Sequence, residues 1–233
     1  MTEENQLATQ LNADARAGLF DLAALDAALR ARGDDVYRRV REQCPHLFAV
    51  APVFLSRAQV EAMRAVVAAV ARVVMLPGWR AGVPQPPDYL PRAGGVFFGY
   101  DFHVNADGVH LIEINTNAGG AFLNALLTRS QRDAALPGAA AGPEDAEQIY
   151  LDMFLNEWRL QRGDAPLRCV AIVDEQPQAQ FLYPEFILAR QMFERAGLRV
   201  FILDPAQLEA RADGLYHDGS KVDLIYNRLT DFS

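Results

Sequence analysis

"GYDFHVNADGVHLIEINTNAGG", residues 99–120, decides how this chain reads. Its two halves alternate with the period of two that belongs to strands, which predicts strands over 96–104 and 109–116. Between them lies "NADG", with Asn at the first position of a type I turn and Gly at the last. A three-residue loop, Ala106 to Gly108, pairs Asn105 with Val109 and sets Asp101 across from Glu113 on one face. A two-residue loop would put Phe102 there instead. Glu113 stands among Leu111, Ile112 and Ile114, so the strand reads as buried, and an unpaired buried charge is expensive. Glu113 and Asn115 share a face. Two directly opposed carboxylates repel each other unless a cation or a proton lies between them. Asp, Glu and an Asn amide oxygen are hard ligands suited to Mg²⁺. A solvated sheet face carrying ordinary surface acids fits the same residues.

Working outward, "NTNAGG" combines residue types that tolerate unusual backbone angles and close approach of a ligand. The helix expected after Gly120 offers free N–H groups to an anion. Toward the N-terminus, residues 14–32 and 34–43 read as two short helices. A longer helix begins at Ser56 with Gln59 three residues on, a capping-box pattern, and carries Val60, Met63, Val67, Val70 and Val74 at helical spacing. It ends before Pro77-Gly78, and the Pro- and Gly-rich residues 77–95 read as an irregular loop. Toward the C-terminus, "PGAAAGP" (137–143) reads as a linker, and a helix is expected over about 144–161. The remainder reads β-α-β-α-β. "CVAIVD" and "RVFILD" are strands, "PEFILARQMFERAG" and "PAQLEARA" helices, and "LYHDGSKVDLIYNR" a hairpin about Asp218-Gly219 running into a strand. That order predicts a small parallel sheet covered by helices. The expected division is 1–142 and 143–233.

The 233 residues are 51% hydrophobic with a formal net charge of -8. The acidic balance argues against nucleic-acid binding and for a soluble, cytoplasmic protein. The start, "MTEENQLATQ", is no signal peptide, and "AVVAAVARVVML" is too short to span a bilayer. Cys44 and Cys169 form no CxxC, so reduced thiols are expected. His46, His103, His110 and His217 form no HxxxH or HExxH, which disfavours a zinc site. The only lysine is Lys221, and there is no GxxxxGK[ST] loop.

The stretch "YDFHVNADGVHLIEINTNAGG" resembles the metal-binding hairpin of ATP-grasp ligases: an Asp-aromatic pair, a D-G turn, then E-x-N-T and a glycine-containing loop. The resemblance implies that Asp101, Glu113 and Asn115 hold Mg²⁺ against the phosphates of ATP. Gly99 stands where many members have an Arg. The hairpin comes early and a Rossmann-like segment follows it. That order resembles the circularly permuted members, eukaryotic-type glutathione synthetase and the glutathionylspermidine-synthase-like proteins. "IEINT", Gly119-Gly120, "CVAIVDEQ" and "LIYNR" fill the matching places, over roughly residues 96–233. The implied fold is α/β: N-terminal helices and an antiparallel metal-binding hairpin, part of an ATP-grasp domain, then a partial Rossmann-like parallel sheet. The implied chemistry is ADP-forming joining of a carboxylate to an amine through an acyl phosphate. Such ligases grip ATP with lysines; the lid, adenine pocket and phosphate loop would then follow residue 233, and the 233 residues alone would be inactive.

Under that resemblance Thr116, Asn117, Gly119 and Gly120 contact an amino-acid or peptide-like carboxylate substrate. Arg228, after the last strand, lies at the carboxyl edge where open α/β sheets bind ligands and can grip a carboxylate bidentately. Gln180, Tyr183 and Glu185 follow the first Rossmann-like strand and are further candidates. His103 and His110 read as surface or cross-strand residues, and Trp79 and Trp158 as packing residues. Arg92 or Arg129 could replace the missing lysines. An open edge or apolar face is expected near Ile225 and Tyr226, which leaves oligomerisation open. A second reading is a non-catalytic small-molecule-binding or interaction domain; a third, weaker one is a metal-dependent hydrolase using the same acids.

Overall fold

The computed structural model describes residues 2–14, 20–49, 51–82, 92–132 and 145–229. The linker expected at 137–143 and residues 83–91 of the expected loop lie outside the described residues. In chain order the elements are α1 (Glu3–Asp14), α2 (Leu22–Arg30), α3 (Asp34–Arg38, extended by a π-helical turn Arg39–Gln43), α4 (Arg57–Val74), α5 (Pro77–Gly82), β1 (Gly99–Asn105), β2 (Gly108–Asn115), α6 (Ala121–Ser130), α7 (Ala146–Arg162), β3 (Cys169–Val173), α8 (Tyr183–Arg195), β4 (Arg199–Leu203), β5 (Glu209–Arg211), β6 (Gly214–His217), β7 (Ser220–Lys221) and β8 (Leu224–Asn227). The protein is therefore mixed α/β, with an antiparallel hairpin and a parallel sheet. It divides into two compact units, one from Met1–Phe20, Val50–Gly94 and Phe98–Thr116, the other from Asp21–Ala49, Gly95–Phe97 and Asn117–Ser233.

In the first unit α4 packs along the β1-β2 hairpin, and α1 packs along α4. The capping box forms as its sequence pattern predicts: Gln59 N–H donates to Ser56 Oγ at 3.1 Å, and Ser56 N–H donates to Gln59 Oε1 at 2.8 Å. Ser56 Oγ also donates to Asn5 Oδ1 at 2.5 Å, tying α1 to the start of α4. Ser56→Ala removes both bonds of the Ser56 hydroxyl and leaves only the one from its backbone N–H to Gln59. It should lower stability by about 1 kcal/mol, readable as a shift in the urea midpoint at unchanged slope.

The hairpin departs from both loop geometries considered above. Asn105 pairs with Gly108, leaving the two-residue loop Ala106-Asp107. Asp107 N–H donates to Asn105 Oδ1 at 2.9 Å, a local Asx turn. Continued regularly, this register would set Tyr100 across from Glu113. A β-bulge intervenes: Phe102 pairs with Leu111, Asp101 pairs with Glu113, and Ile112 is the extra residue. Asp101 therefore does face Glu113, but through the bulge and not through the turn.

The bulge also sorts the faces. Directly paired residues share a side, so Tyr100, Phe102, Val104, Val109, Leu111 and Ile114 fall on one face. Asp101, His103, His110, Glu113 and Asn115 fall on the other. Were Ile112 held in the regular ladder instead of bulging out of it, the apolar and polar sets would be mixed between the faces. The strand is not buried as expected: Ile112 is 62% and Ile114 37% exposed, and Glu113 is itself exposed.

In the second unit β3 is the middle strand of a parallel sheet ordered β4-β3-β8. It is buried along its whole length, which is why "CVAIV" shows no alternation. Asp223 joins the strand starts, its Oδ2 accepting from the N–H groups of Arg168 and Cys169 at 2.9 and 3.0 Å. One face of the sheet packs on Phe122 of α6, Phe154 of α7, and Phe186, Leu188, Ala189, Met192 and Phe193 of α8. Behind this layer, Leu25 and Leu29 of α2 and Val36 of α3 join Leu126 and Ile187. The helices before residue 50 thus belong to two different units. The other sheet face packs Ala171, Val173, Leu203 and Val222 against Phe201 and Leu208.

Three local expectations change. "PAQLEARA" is a 3-10 turn, Pro205–Gln207, followed by β5, which makes a small antiparallel sheet with β6 and β7. Asp204 caps that turn and Pro205 opens it, but the chain then runs extended into β6 pairing. The expected loop opens with α5, where Pro77 suits a first helical position. Trp79 is 53% exposed and does not pack, whereas Trp158 is buried and donates its indole N–H to Ala165 O at 2.7 Å. At the β8 edge Ile225 is exposed while Tyr226 is buried in the core.

Candidate functional site

The hairpin carries the first group of candidates. Asp101 and Glu113 are directly opposed on one face, and Asn115, two residues beyond Glu113, shares that face. All three are exposed, so they are open to an ion and to solvent alike. Among the described residues no group of three His, Cys, Asp or Glu side chains could hold a metal ion. The hairpin set holds two such acids and reaches three ligands only through the Asn115 amide oxygen, which suits a hard cation that keeps its own water or phosphate ligands. His103 and His110 pair across the strands on the same face and are exposed, as expected.

The second unit carries a separate group at the carboxyl edge of its parallel sheet. Asp174, Glu185 and Arg228 are its buried charged residues among those described. Glu185, 1% exposed, sits in the first turn of α8, next to Pro184. Its Oε2 accepts the Gly120 N–H at the start of α6. The turn after Thr116 ends in Gly120 at φ 91°, a left-handed conformation that favours glycine and aims its N–H at this carboxylate. Arg228, 5% exposed, follows β8. Its Nη1 donates to Asn117 Oδ1 at 2.7 Å, Ala118 O at 3.2 Å and Asn117 O at 3.3 Å. Asn117 Nδ2 in turn donates to Leu229 O at 3.2 Å. Gly119 has no room for a side chain: a Cβ there would lie 2.6 Å from Leu182 Cδ1 and 2.9 Å from Arg228 Nη2.

Four of the substrate-contact candidates, Asn117, Gly119, Gly120 and Arg228, therefore converge in this unit, and Glu185 joins them. Thr116 belongs to the other unit. Gln180 and Tyr183 do not join the cluster. Gln180 Nε2 donates to Glu175 O at 2.7 Å, and the Tyr183 ring lies under the Arg39 guanidinium at 4.4 Å. The N–H groups expected to be free at α6 are not: the chain's own Glu185 already sits on them. Lys221 Nζ bonds Asp213 Oδ2 at 2.9 Å within the small antiparallel sheet. Arg129 is in the last turn of α6, at the far end of that helix from the glycines.

Asp174 was not singled out in the sequence, although "CVAIVD" marks it. An acid directly after a buried parallel strand falls at the ligand-binding edge. Burial pushes its carboxyl up, opposed by the Glu175 N–H and by the charge of Arg228. Tyr226 likewise hides in an apolar run; its hydroxyl is buried without a hydrogen-bond partner among the described residues and is pushed up by burial.

No family's sequence profile matches the chain, and no curated protein matches it. Among solved structures it is similar to a glutathione synthetase like-effector, GSS30, from Globodera pallida, in its apo form. The TM-score is 0.42 at 14% identity, over 57% of this chain and 36% of that one. The chain thus spans about a third of the length of the structure it matches. Among the described residues no helix is long and apolar enough to cross a membrane.

Glu185 sets a pH dependence. Burial raises its carboxyl above the ordinary value of 4.5, more than the Gly120 N–H and the Arg228 charge lower it. The fold therefore favours the protonated acid. The resulting stability is fully present below 4.5 and is lost as pH rises through the raised folded value. The melting temperature of wild type minus that of Glu185→Gln should fall across that window. A difference that is flat or rises with pH contradicts this assignment.

Proposed function

We propose that these residues serve an ATP- and Mg²⁺-dependent carboxylate–amine ligase of the permuted ATP-grasp type, forming a peptide-like bond through an acyl phosphate. The observation that carries this reading is the direct opposition of Asp101 and Glu113 on the polar face of a bulged hairpin, with Asn115 beside them. That face would hold Mg²⁺, and Mg²⁺ would neutralise charge as phosphate moves to the acid. In the second unit Asn117, Gly119 and Arg228 would border the amino-acid or peptide-like acid, with Asp174 near the same edge, and Gly120 would shape the turn while Glu185 holds its N–H. Catalysis would rest on positioning and charge, since no cluster residue is placed as a general base.

Calorimetric titration of the complete protein tests the reading, with Mg²⁺ and a non-hydrolysable ATP analogue added together and singly. Nucleotide binding that requires Mg²⁺ supports it; binding of neither partner overturns it. A second reading, a non-catalytic module that binds a small carboxylate, is favoured by the tethering of Lys221 to Asp213, which leaves it unsuited to a phosphate clamp. Binding of amino acids or short peptides without any Mg²⁺-nucleotide response would select that second reading.

A further inference from the structure

The Asn117–Gly120 turn is gripped by two buried charges of opposite sign, each on the matching end of the peptide dipoles. The Arg228 cation takes the carbonyl oxygens of Asn117 and Ala118, and the Glu185 anion takes the N–H of Gly120. The grips come from different elements, the end of β8 and the first turn of α8. The N–H groups of Ala121 and Phe122 also favour the charged form of Glu185. A second carboxylate oxygen, Glu185 Oε1, and the Arg228 Nε are buried without hydrogen-bond partners among the described residues. A residue selected for stability alone would not leave a buried carboxylate half satisfied, because an unmatched polar atom costs free energy.

We propose that Glu185 is a built-in anion. It fills the seat at the α6 N-terminus that a phosphate or carboxylate ligand would take, and with Arg228 it holds the glycine turn in one preformed geometry. Glu185 is on this account a positioning residue, and an anionic ligand of this unit binds elsewhere than on the α6 N–H groups. Helix N-termini attract anions through their unsatisfied N–H groups and dipole; here the chain supplies the anion itself. The proposal does not depend on the ligase reading.

Its signature is a split between global and local stability. Glu185→Gln keeps the shape and one acceptor oxygen but removes the buried charge. Its melting temperature above pH 7 should equal or exceed that of wild type. Its amides at Gly120, Ala121 and Phe122 should nevertheless exchange hydrogen about tenfold faster. Glu185→Ala should show the same faster exchange, reversed by sodium formate and not by sodium chloride at equal ionic strength. Inorganic phosphate should leave these amides unchanged in wild type. Parallel loss of global and local stability in Glu185→Gln would mark a merely structural residue and overturn the proposal. So would formate-insensitive exchange in Glu185→Ala, or protection of the wild-type amides by phosphate. If Glu185→Ala does not fold, the Gln variant and the phosphate arm still decide the outcome.

Discussion

Glu113→Gln is expected to weaken Mg²⁺-dependent nucleotide binding on the order of 100-fold or more, about 2.7 kcal/mol. The reasoning starts from ligand charge. Under the proposed function the hairpin offers Mg²⁺ two carboxylates, Asp101 and Glu113, and one neutral amide, Asn115. Replacing Glu113 by its amide halves the negative charge facing a divalent cation while leaving size and strand propensity nearly unchanged. Glu113 is exposed and opposed to another carboxylate, so losing its charge should also relieve a repulsion. Stability should therefore move by no more than about 0.5 kcal/mol. Calorimetry of the complete protein reads the affinity and thermal melting reads the fold. Equal affinities for mutant and wild type would remove the metal role from this residue.

The largest stability effect belongs elsewhere. Phe154→Ala should cost about 3–5 kcal/mol, a large fraction of the stability of a domain this size. Phe154 is buried on α7 and meets three rings edge-on, Phe193 and Tyr226 at 5.0 Å and Phe97 at 5.7 Å between centroids. Removing it opens a cavity bordered by α8, β8 and the segment before the hairpin. Those walls are large rings locked by one another, so the site has little scope to collapse. The urea midpoint should fall steeply at unchanged slope. A loss below about 1.5 kcal/mol would mean that the aromatic layer repacks.

What the sequence disclosed follows its physics. The β3, α8 and β4 run was legible because "CVAIV" is apolar on both faces, Pro184 opens the helix and Gly197 follows it. The α4 start was legible because a capping box is written in two residues, Ser56 and Gln59. The hairpin was legible as a hairpin, but its burial was misjudged. Ile112 and Ile114 suggest a core strand, and periodicity cannot tell an apolar bulge residue near solvent from a packed one. The β6-β7 hairpin was legible from its Asp218-Gly219 turn, but β5 was not, because "EAR" has no strand signal of its own; pairing with β6 makes it extended. Of the candidate residues, the nearness of Arg228 to the two glycines was legible by position. The burial of Asp174 and of Glu185 was not, since nothing in "YPEF" says that its carboxylate turns inward to meet a helix some sixty-five residues earlier.

The bulge at Ile112 makes this hairpin unequal in its response to changes of length. Deleting Ile112 would bring Glu113 into the place opposite Asp101 that it already holds, now in an unbroken ladder. The apolar and polar sets would keep their sides. Adding one more residue between Val109 and Glu113, or deleting one while the one-residue bulge is kept, would exchange the sides of every residue beyond the change. One residue can thus be lost between Val109 and Glu113 without changing the side on which the acids lie, and loss of Ile112 also leaves every remaining pair as it is. A gap in a related sequence that retains the Asp, Glu and Asn should fall there.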